Sequence, residues 1–182
     1  IPGSGVDLQD FPQTPVPTGR LEFLFAGRLL RAKGVEEFIK AAKEISRIHP
    51  EAQFRILGEH DPSDASYVDI SDLEAFGRGP NNHFSGAVQP TEVAGFLERC
   101  TAFVLPSYYR EGVPRVLLEA IASGRPIITT DNVGCREVVD DGVNGFRVPV
   151  RDPSALAQAL DRFARLPAEA RQDMADAARA KA

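Results

Sequence analysis

The chain has 182 residues, 43% of them hydrophobic, which is enough to bury one core of ordinary domain size. Its net charge is −5 and its Lys and Arg residues form no long run, so a nucleic-acid partner, which requires a basic face, is disfavoured. No apolar run approaches the roughly 18 residues that a membrane-spanning helix requires.

Short apolar runs alternate with amphipathic stretches along the chain. The first half predicts, in order, a strand at 21–26, a helix at 34–48, a strand at 54–57, a loop at 59–66, a helix at 67–77, a strand at 83–86, a helix at 90–99 and a strand at 101–105. The second half predicts a helix at 114–123, a strand at 126–130, a short helix at 134–139, a turn at 141–145, a strand at 146–148, and helices starting at Asp152 and Ala168.

About six strands with a helix between nearly every pair predict an α/β fold, a Rossmann-like parallel sheet with helices on both faces. Ligands of such sheets bind beyond the carboxyl ends of the strands. Three of the loops at these ends begin with glycine, at Gly27, Gly58 and Gly86. Glycine lets backbone approach a ligand closely, although strand-to-helix turns often need glycine for the turn alone.

The loop after the first strand, residues 27–34, carries three cations, Arg28, Arg31 and Lys33, just before a helix N-terminus. That helix end is already electropositive, so cations there are unfavourable unless an anion is bound. A diphosphate would supply the anion, with Arg28 binding as a fork and Lys33 as a point charge. The alternative is a solvated loop with surface cations.

The loop after the most apolar strand contains Glu111, and the helix that follows contains Glu119. Eight residues of helix span at most roughly 12 Å. The backbone N–H groups at the start of this helix can receive phosphate oxygens, and the two carboxylates can accept hydrogen bonds from sugar rings on either side. The alternative makes Glu111 an ordinary acidic residue at a helix start and Glu119 a surface position.

Residues 105–131, with these two glutamates, closely resemble the Glu-x7-Glu region of retaining GT-B glycosyltransferases of family 4, the glycosyl transferases group 1. Residues 27–34 resemble the phosphate loop of this family, and residues 3–7 its linker. Residues 84–88 and 134–146 match a strand end and the closing motifs. The resemblance covers nearly the whole chain in order, and it implies the C-terminal, donor-binding domain of the GT-B fold.

The resemblance implies roles for individual residues. Arg28 and Lys33 would neutralise the donor diphosphate and stabilise the leaving phosphate, and Glu111 would contact the transferred sugar; these three are the candidate catalytic residues. Glu119 would bind the ribose hydroxyls, and backbone near residues 86–88 would meet the base. The remaining donor-binding candidates are Gly27, Gly86, Val88, Gly112, Val113, Pro114 and Arg115.

The resemblance also implies a domain organisation. Residues 1–15 are expected to form an inter-domain linker, residues 16–167 the nucleotide-sugar-binding domain, and residues 168–182 a helix that could pack on an N-terminal acceptor-binding domain and leave its apolar face exposed here. The sequence does not begin with Met and is interpreted as a piece of a longer protein. We expect the piece to bind donor but not to turn it over.

The implied reaction transfers a hexosyl or N-acetylhexosaminyl unit, with retention, from a nucleotide-diphospho-sugar to a glycan or lipid-linked acceptor, with UDP-sugars favoured as donors. It implies a role in surface polysaccharide biosynthesis, no cofactor, no metal and no nucleic acid. The expected location is cytoplasmic, at the inner face of the membrane, with any membrane contact made through the other half of the protein. Two alternatives remain: a UDP-sugar 2-epimerase of GT-B fold, and a non-catalytic nucleotide-binding module.

Two features of the sequence limit these expectations. Residues 59–82 are longer and more polar than the corresponding family stretch, which leaves nucleotide contacts from the loop after the second strand open. The histidines, His49, His60 and His83, and the two cysteines, Cys100 and Cys135, lack the spacing of a metal site, so they are interpreted as non-catalytic.

Overall fold

The structure is a computed structural model, and it describes residues 5–182. Its centre is one sheet of six parallel strands in the order β3-β2-β1-β4-β5-β6. The strands are β1 (Glu22–Ala26), β2 (Gln53–Leu57), β3 (Asn82–Phe84), β4 (Ala102–Leu105), β5 (Ile127–Thr130) and β6 (Gly145–Val148). In the pairing of β1 with β2, Glu22 lies opposite Gln53 and Ala26 opposite Leu57.

The helices cover both faces of the sheet, as the sequence predicts. They are α1 (Val35–Ile48), α2 (Ile70–Gly77), α3 (Pro90–Arg99), α4 (Arg115–Ala122), α5 (Pro153–Ala164) and α6 (Ala168–Lys181). Helix α1 packs on α5, and α4 packs on α6. The chain steps from β1 to β2 in one direction and from β4 to β5 in the other, so right-handed crossovers place α1 and α4 on opposite faces.

The core lies between the sheet and these helices. Helix α1 buries Val35, Phe38, Ala41, Ala42 and Ile45, which recur at helical spacing. The ring of Phe23 on β1 stacks on that of Phe54 on β2 at 5.4 Å. Every residue of β4 and β5 is buried, so neither strand alternates between buried and exposed positions, as expected for a parallel sheet covered on both faces.

One predicted element is wrong. Residues 134–139, predicted as a short helix, form a turn with one helix-like hydrogen bond, from Arg136 N–H to the Asn132 carbonyl (3.0 Å). Gly134 adopts a left-handed φ of 84°, and a methyl group there would overlap the carbonyl oxygen of Gly112. Gly134 is therefore not itself helical, and the residues up to 139 make only this one i to i−4 hydrogen bond, which is too few for an α-helix. The structure also contains a 3₁₀ turn at Arg31–Lys33 that the sequence did not predict.

The segment before β1 packs against the domain. Phe11 and Val16 are buried, and the guanidinium of fully buried Arg125 donates to the carbonyls of Thr14 and Pro15. The Val16 N–H donates to the side chain of Gln172 on α6 (2.9 Å). The later part of the predicted linker therefore lies on the domain surface, whereas residues 1–4 fall outside the described residues.

The apolar face of the last helix is covered within this domain. Met174, Ala175 and Ala178 of α6 are buried, and the helix packs on α4. Arg179 donates to the carbonyl oxygens of Phe11 and Ala122 and so joins α6 to both neighbours. The expectation that this face is exposed is wrong, because the segment before β1 and helix α4 bury it.

Strands β1 and β4 lie side by side at the centre of the sheet, and the strand order reverses between them. The chain leaves β1 toward α1 on one face and leaves β4 toward α4 on the other. The two helices therefore lie on opposite faces, and the carboxyl edge of the sheet between the two loops forms a crevice, which is where ligands bind in open α/β folds.

Candidate functional site

The crevice lies between the loop after β1, residues 27–34, and the loop after β4, residues 106–114. The two loops are joined directly, because the Tyr108 N–H donates to the Ala32 carbonyl (2.8 Å). Gly34 has a φ of 82°, and a methyl group there would overlap the carbonyl oxygen of Pro106. The close approach of backbone to backbone explains why glycine stands at this position.

Lys33 and Glu111 meet across the crevice. The Lys33 ammonium donates to the Glu111 carboxylate and forms an ion pair with it. Lys33 is 7% exposed, whereas the side chain of Glu111 is 28% exposed. A cation this deeply buried requires a partner, so the pair fixes both groups at the floor of the crevice. The sequence predicted both residues for one site, and the structure brings them together.

Arg28 and Lys33 lie beside the same aromatic ring. The guanidinium carbon of Arg28 is 5.9 Å from the centroid of the Tyr109 ring, and the Lys33 ammonium is 5.2 Å from it. Arg28 is exposed and takes part in none of the ion pairs found within residues 5–182. The third cation of the loop, Arg31, instead pairs with Glu36 on α1 and does not join the cluster.

The amino terminus of α4 forms the next part of the crevice. The helix begins at Arg115 after the buried Pro114, and no side chain caps it. In the part of the chain that the structure describes, the N–H groups of Gly112 and Val113 donate to no protein acceptor. Gly112 is exposed, and nothing lies within 4 Å of where its side chain would begin. These N–H groups are therefore open to an anion.

Glu119 lies on α4, about one turn after its start at Arg115. Its carboxylate accepts a hydrogen bond from the Nε of Arg115 at 3.0 Å, and its side chain is 14% exposed. This burial contradicts the alternative in which Glu119 is a surface position. The ion pair with exposed Arg115 holds the carboxylate in place beside the first turn of the helix.

Three glycines stand in a row at the adjacent strand ends. The Gly27 N–H donates to the Leu57 carbonyl (3.1 Å), and the Gly58 N–H donates to the Gly86 carbonyl (2.8 Å). The loops after β1, β2 and β3 are therefore neighbours, which places Gly27 and Gly86 at one edge of the sheet. Val88 follows in the same stretch and is half-buried against the core.

The loop after β2 folds over the loop after β1. The Leu29 N–H donates to the Glu59 carbonyl (3.0 Å), and the Arg31 N–H donates to that of Ser66 (2.9 Å). An antiparallel bridge joins Leu30 and Tyr67. The polar stretch that the sequence left open is therefore a wall beside the cation-bearing loop, held there by backbone hydrogen bonds.

Sequence reasoning missed Tyr109 and the residues that hold its loop. The side-chain amide of Asn132 donates to the Tyr109 carbonyl (2.8 Å), and the Thr130 hydroxyl donates to the Ser107 carbonyl. An aromatic residue two positions before Glu111 was the available signal. Its proximity to Arg28 depends on how distant loops meet, which the local sequence does not encode.

The remaining candidates for chemistry lie elsewhere or are inert. Burial raises the pKa of the Cys100 thiol to about 12, and burial also raises that of Cys135, so both thiols stay protonated at neutral pH. His49 contacts Asp161 (2.6 Å), and His60 contacts the Val68 carbonyl (2.8 Å). Within residues 5–182, no group of three or more His, Cys, Asp or Glu side chains is arranged to hold a metal ion.

A second concave region, of about 740 Å³, lies between α1 and α2. It carries Lys40 and Lys43 on one wall and Phe76 on the other. Neither Arg28 nor Glu111 lines it. The crevice is the better candidate, because a paired buried cation, an aromatic ring and free N–H groups just before α4 converge there. The lysines of the groove, by contrast, belong to a single helix face.

The fold and the crevice together define a Rossmann-like α/β domain of the GT-B kind, with polar groups gathered at the point where the strand order reverses. The sequence matches the family model of glycosyl transferases group 1 over residues 7–181. The chain therefore belongs to the glycosyl transferases group 1, and this match gives no support to the epimerase alternative.

Individual relatives agree with this assignment. The chain is 37% identical over 143 residues to a glycogen synthase of Mycobacterium tuberculosis, covering 79% of this chain and 34% of that protein. It is 33% identical over 186 residues to a D-inositol 3-phosphate glycosyltransferase of Frankia alni, covering 90% of this chain and 44% of that protein. The solved structure of a sucrose-phosphate synthase from Thermosynechococcus elongatus superposes on this chain with a TM-score of 0.83 at 26% identity. The superposition covers 97% of this chain and 46% of that one.

The chain thus spans between a third and a half of the length of these proteins. None of the helices in residues 5–182 combines the length and the apolar character that crossing a bilayer requires.

Proposed function

We propose that this domain binds the nucleotide-diphospho-sugar donor of a retaining glycosyltransferase. The whole protein would transfer a hexosyl or N-acetylhexosaminyl unit to a glycan or lipid-linked acceptor. The observation that carries the proposal is the convergence of Arg28, Lys33 and Glu111 with the start of α4 in one crevice. The family membership of the chain supports it independently.

The diphosphate is assigned to the space between Arg28, Lys33 and the free N–H groups of Gly112 and Val113. Charge-assisted hydrogen bonds from a guanidinium and an ammonium are the strong kind, and a helix start adds a favourable dipole. When the glycosidic bond breaks, negative charge develops on the leaving phosphate. Donors already fixed around that phosphate stabilise the charge without rearrangement. The proposal assigns no cofactor or metal to this step.

The two carboxylates are assigned to the rings on either side of the diphosphate. Glu111, at the loop tip, would accept hydrogen bonds from hydroxyls of the transferred sugar. Glu119, held by Arg115 on α4, would accept from the ribose hydroxyls. The edge formed by Gly27, Gly86 and Val88 would meet the base. Hydroxyl groups are donors that carboxylates bind well, and such contacts discriminate against ligands that lack them.

The acceptor is assigned to a part of the protein beyond this domain. The matched relatives are two to three times as long as the aligned region, and their names indicate different acceptors. We propose a role in surface polysaccharide biosynthesis with UDP-sugars as donors, at the inner face of the membrane, on the strength of the motif resemblance around Glu111. This domain alone would bind donor without turning it over, because the groups that bind the acceptor are elsewhere.

Titration calorimetry of the chain with UDP, GDP and ADP tests the proposal. We expect one of them to bind, and Arg28→Ala to weaken that binding by about 1.5–3 kcal/mol, the cost of one charge-assisted contact. Arg31→Ala is the matched control, because Arg31 lies in the same loop but pairs with Glu36. The Arg31→Ala protein should bind the nucleoside diphosphate as tightly as wild type does. Folded wild-type protein that binds none of the three would overturn the proposal.

A further inference from the structure

The ring of Tyr109 lies against the two cations assigned to the diphosphate. It is 37% exposed, and its centroid is within 6 Å of both the Lys33 ammonium and the Arg28 guanidinium carbon. We propose that Tyr109 is a positioning residue that holds Arg28 beside Lys33 so that one diphosphate contacts both. This inference deepens the proposed function and rests on it.

The backbone of Tyr109 is fixed from three sides. Its N–H donates to the hydroxyl of buried Ser107 (3.2 Å), and its carbonyl accepts from the amide of Asn132 on the loop after β5 (2.8 Å). The N–H of the preceding Tyr108 donates to Ala32 on the cation-bearing loop (2.8 Å). The ring is therefore placed by the scaffold, although it is too exposed to contribute much to the core.

The two cations differ in how much they need the ring. Lys33 is buried and already has Glu111 as an ion-pair partner. Arg28 is exposed and forms none of the ion pairs found in the described part of the chain. Without another contact, its long side chain would sample many rotamers and would be repelled by the nearby ammonium.

Contact with an aromatic face would restrict the rotamers of Arg28 and offset its repulsion by the Lys33 ammonium. The negative face of the ring attracts a guanidinium or an ammonium within about 6 Å, so one ring can keep two like charges close together while the site is empty. Arg28 then presents its donors toward the crevice before the diphosphate arrives. A side chain ordered in advance loses less rotamer freedom on binding, and affinity rises accordingly.

A double-mutant cycle measured by calorimetry with the nucleoside diphosphate that wild type binds tests this role. Tyr109→Phe keeps the ring and should bind within about twofold of wild type, whereas Tyr109→Leu should weaken binding about three- to tenfold. The decisive readout is coupling: Arg28→Ala should cost several-fold less affinity in the Tyr109→Leu protein than in wild type.

Tyr108→Leu is the matched control, because the neighbouring Tyr108 ring lies under Arg151 at 4.4 Å and not beside Arg28. It should leave the affinity and the coupling unchanged, and melting curves should show that every variant is folded. Tyr109→Leu with wild-type affinity, or losses from Tyr109→Leu and Arg28→Ala that multiply independently, would overturn the inference and leave the proposed function standing. Wild type that binds no nucleoside diphosphate would overturn the proposed function and this role with it.

Discussion

Lys33 and Glu111, 78 residues apart in the chain, form an ion pair across the crevice between the β1 and β4 loops. The same two groups are assigned to different parts of the donor, the ammonium to the diphosphate and the carboxylate to the sugar. Under the proposed assignment, a bound diphosphate would compete with Glu111 for Lys33, and sugar hydroxyls would then satisfy the carboxylate. On that assignment, the pair would link recognition of the phosphates to recognition of the sugar.

The pair predicts opposite effects on two ligands. Glu111→Gln removes the carboxylate that competes for Lys33, so the affinity for the nucleoside diphosphate should rise about two- to tenfold. The same variant should lose the preference for the nucleotide-sugar over the bare diphosphate, because an amide accepts hydroxyl hydrogen bonds more weakly than a carboxylate. Calorimetry with both ligands measures the two affinities. Glu44→Gln, at an exposed glutamate in the second half of α1, is the control. Equal weakening of both ligands by Glu111→Gln would contradict this coupling.

Two glycines at the crevice should differ in their effects: replacing Gly34 should reduce the stability of the fold, whereas replacing Gly112 should reduce only ligand binding. Gly34→Ala should destabilise the fold by more than about 1 kcal/mol, because φ is positive there and the methyl group would overlap Pro106. Gly112→Ala meets no atom within 4 Å and should keep the wild-type stability within about 0.5 kcal/mol. It should nevertheless weaken diphosphate binding, since the methyl group occupies the space a phosphate would use. Urea unfolding measures the stability of each variant, and calorimetry measures its affinity for the nucleoside diphosphate. A Gly112→Ala protein with wild-type affinity would move the phosphates away from the α4 start.

Replacing the buried side chain of Arg125 should cause a large loss of stability. Its side chain is fully buried and donates to the carbonyls of Thr14, Pro15, Cys100 and Ser123, and burial lowers the pKa of its guanidinium. Arg125→Leu should lower the free energy of unfolding by about 2–4 kcal/mol, because two buried and two part-buried carbonyls lose their donor. Arg47→Leu, at an exposed position on α1, is the control. An unchanged urea midpoint in the Arg125 variant would show that water replaces these hydrogen bonds at little cost.

Replacing Glu37 should make the protein more stable, by an amount that depends on pH. Its carboxylate on the first turn of α1 is half-buried, and one oxygen lacks a partner among the described residues. Burial is the main cause of its raised pKa. The folded protein therefore holds this proton more tightly than the unfolded chain does, and stability falls as the pH rises from the ordinary Glu pKa through the raised one.

Glu37→Gln removes this cost. The variant should melt at a higher temperature than wild type at neutral pH, and the difference should vanish below the ordinary Glu pKa. Glu44→Gln, at an exposed position on the same helix, should show no such pH-dependent difference. A Glu37 variant that is less stable than wild type at neutral pH would show that the charged carboxylate is stabilised by nearby cations rather than penalised by burial.

The sequence predicts the elements well wherever local pattern decides. The helical spacing of α1 and the Asp152 cap of α5, whose carboxylate accepts from the Ala155 N–H (2.8 Å), are both local features, and both predictions are confirmed. The helix predicted at 134–139 is wrong because the left-handed conformation of Gly134 is set by Gly112, which is distant in sequence. Local propensity contains no information about such a contact.

The site follows the same division. The motif resemblance predicts Lys33 and Glu111 for one site, and the structure shows their side chains in an ion pair, whereas their binding of a donor stays a prediction. It could not supply the Tyr109 ring or the wall formed by residues 59–68, since both depend on backbone contacts between loops that are far apart in the chain. Nor could it show that Arg31 turns away, which depends on the nearby Glu36 carboxylate.

The position of the phosphates in a crystal structure of this chain with its nucleoside diphosphate tests the central claim most directly. We expect the diphosphate in the crevice, with Arg28 and Lys33 on one side and the N–H groups of Gly112 and Val113 within hydrogen-bonding distance on the other. Phosphates bound instead in the groove between α1 and α2, beside Lys40 and Lys43, with the crevice unoccupied, would contradict the account.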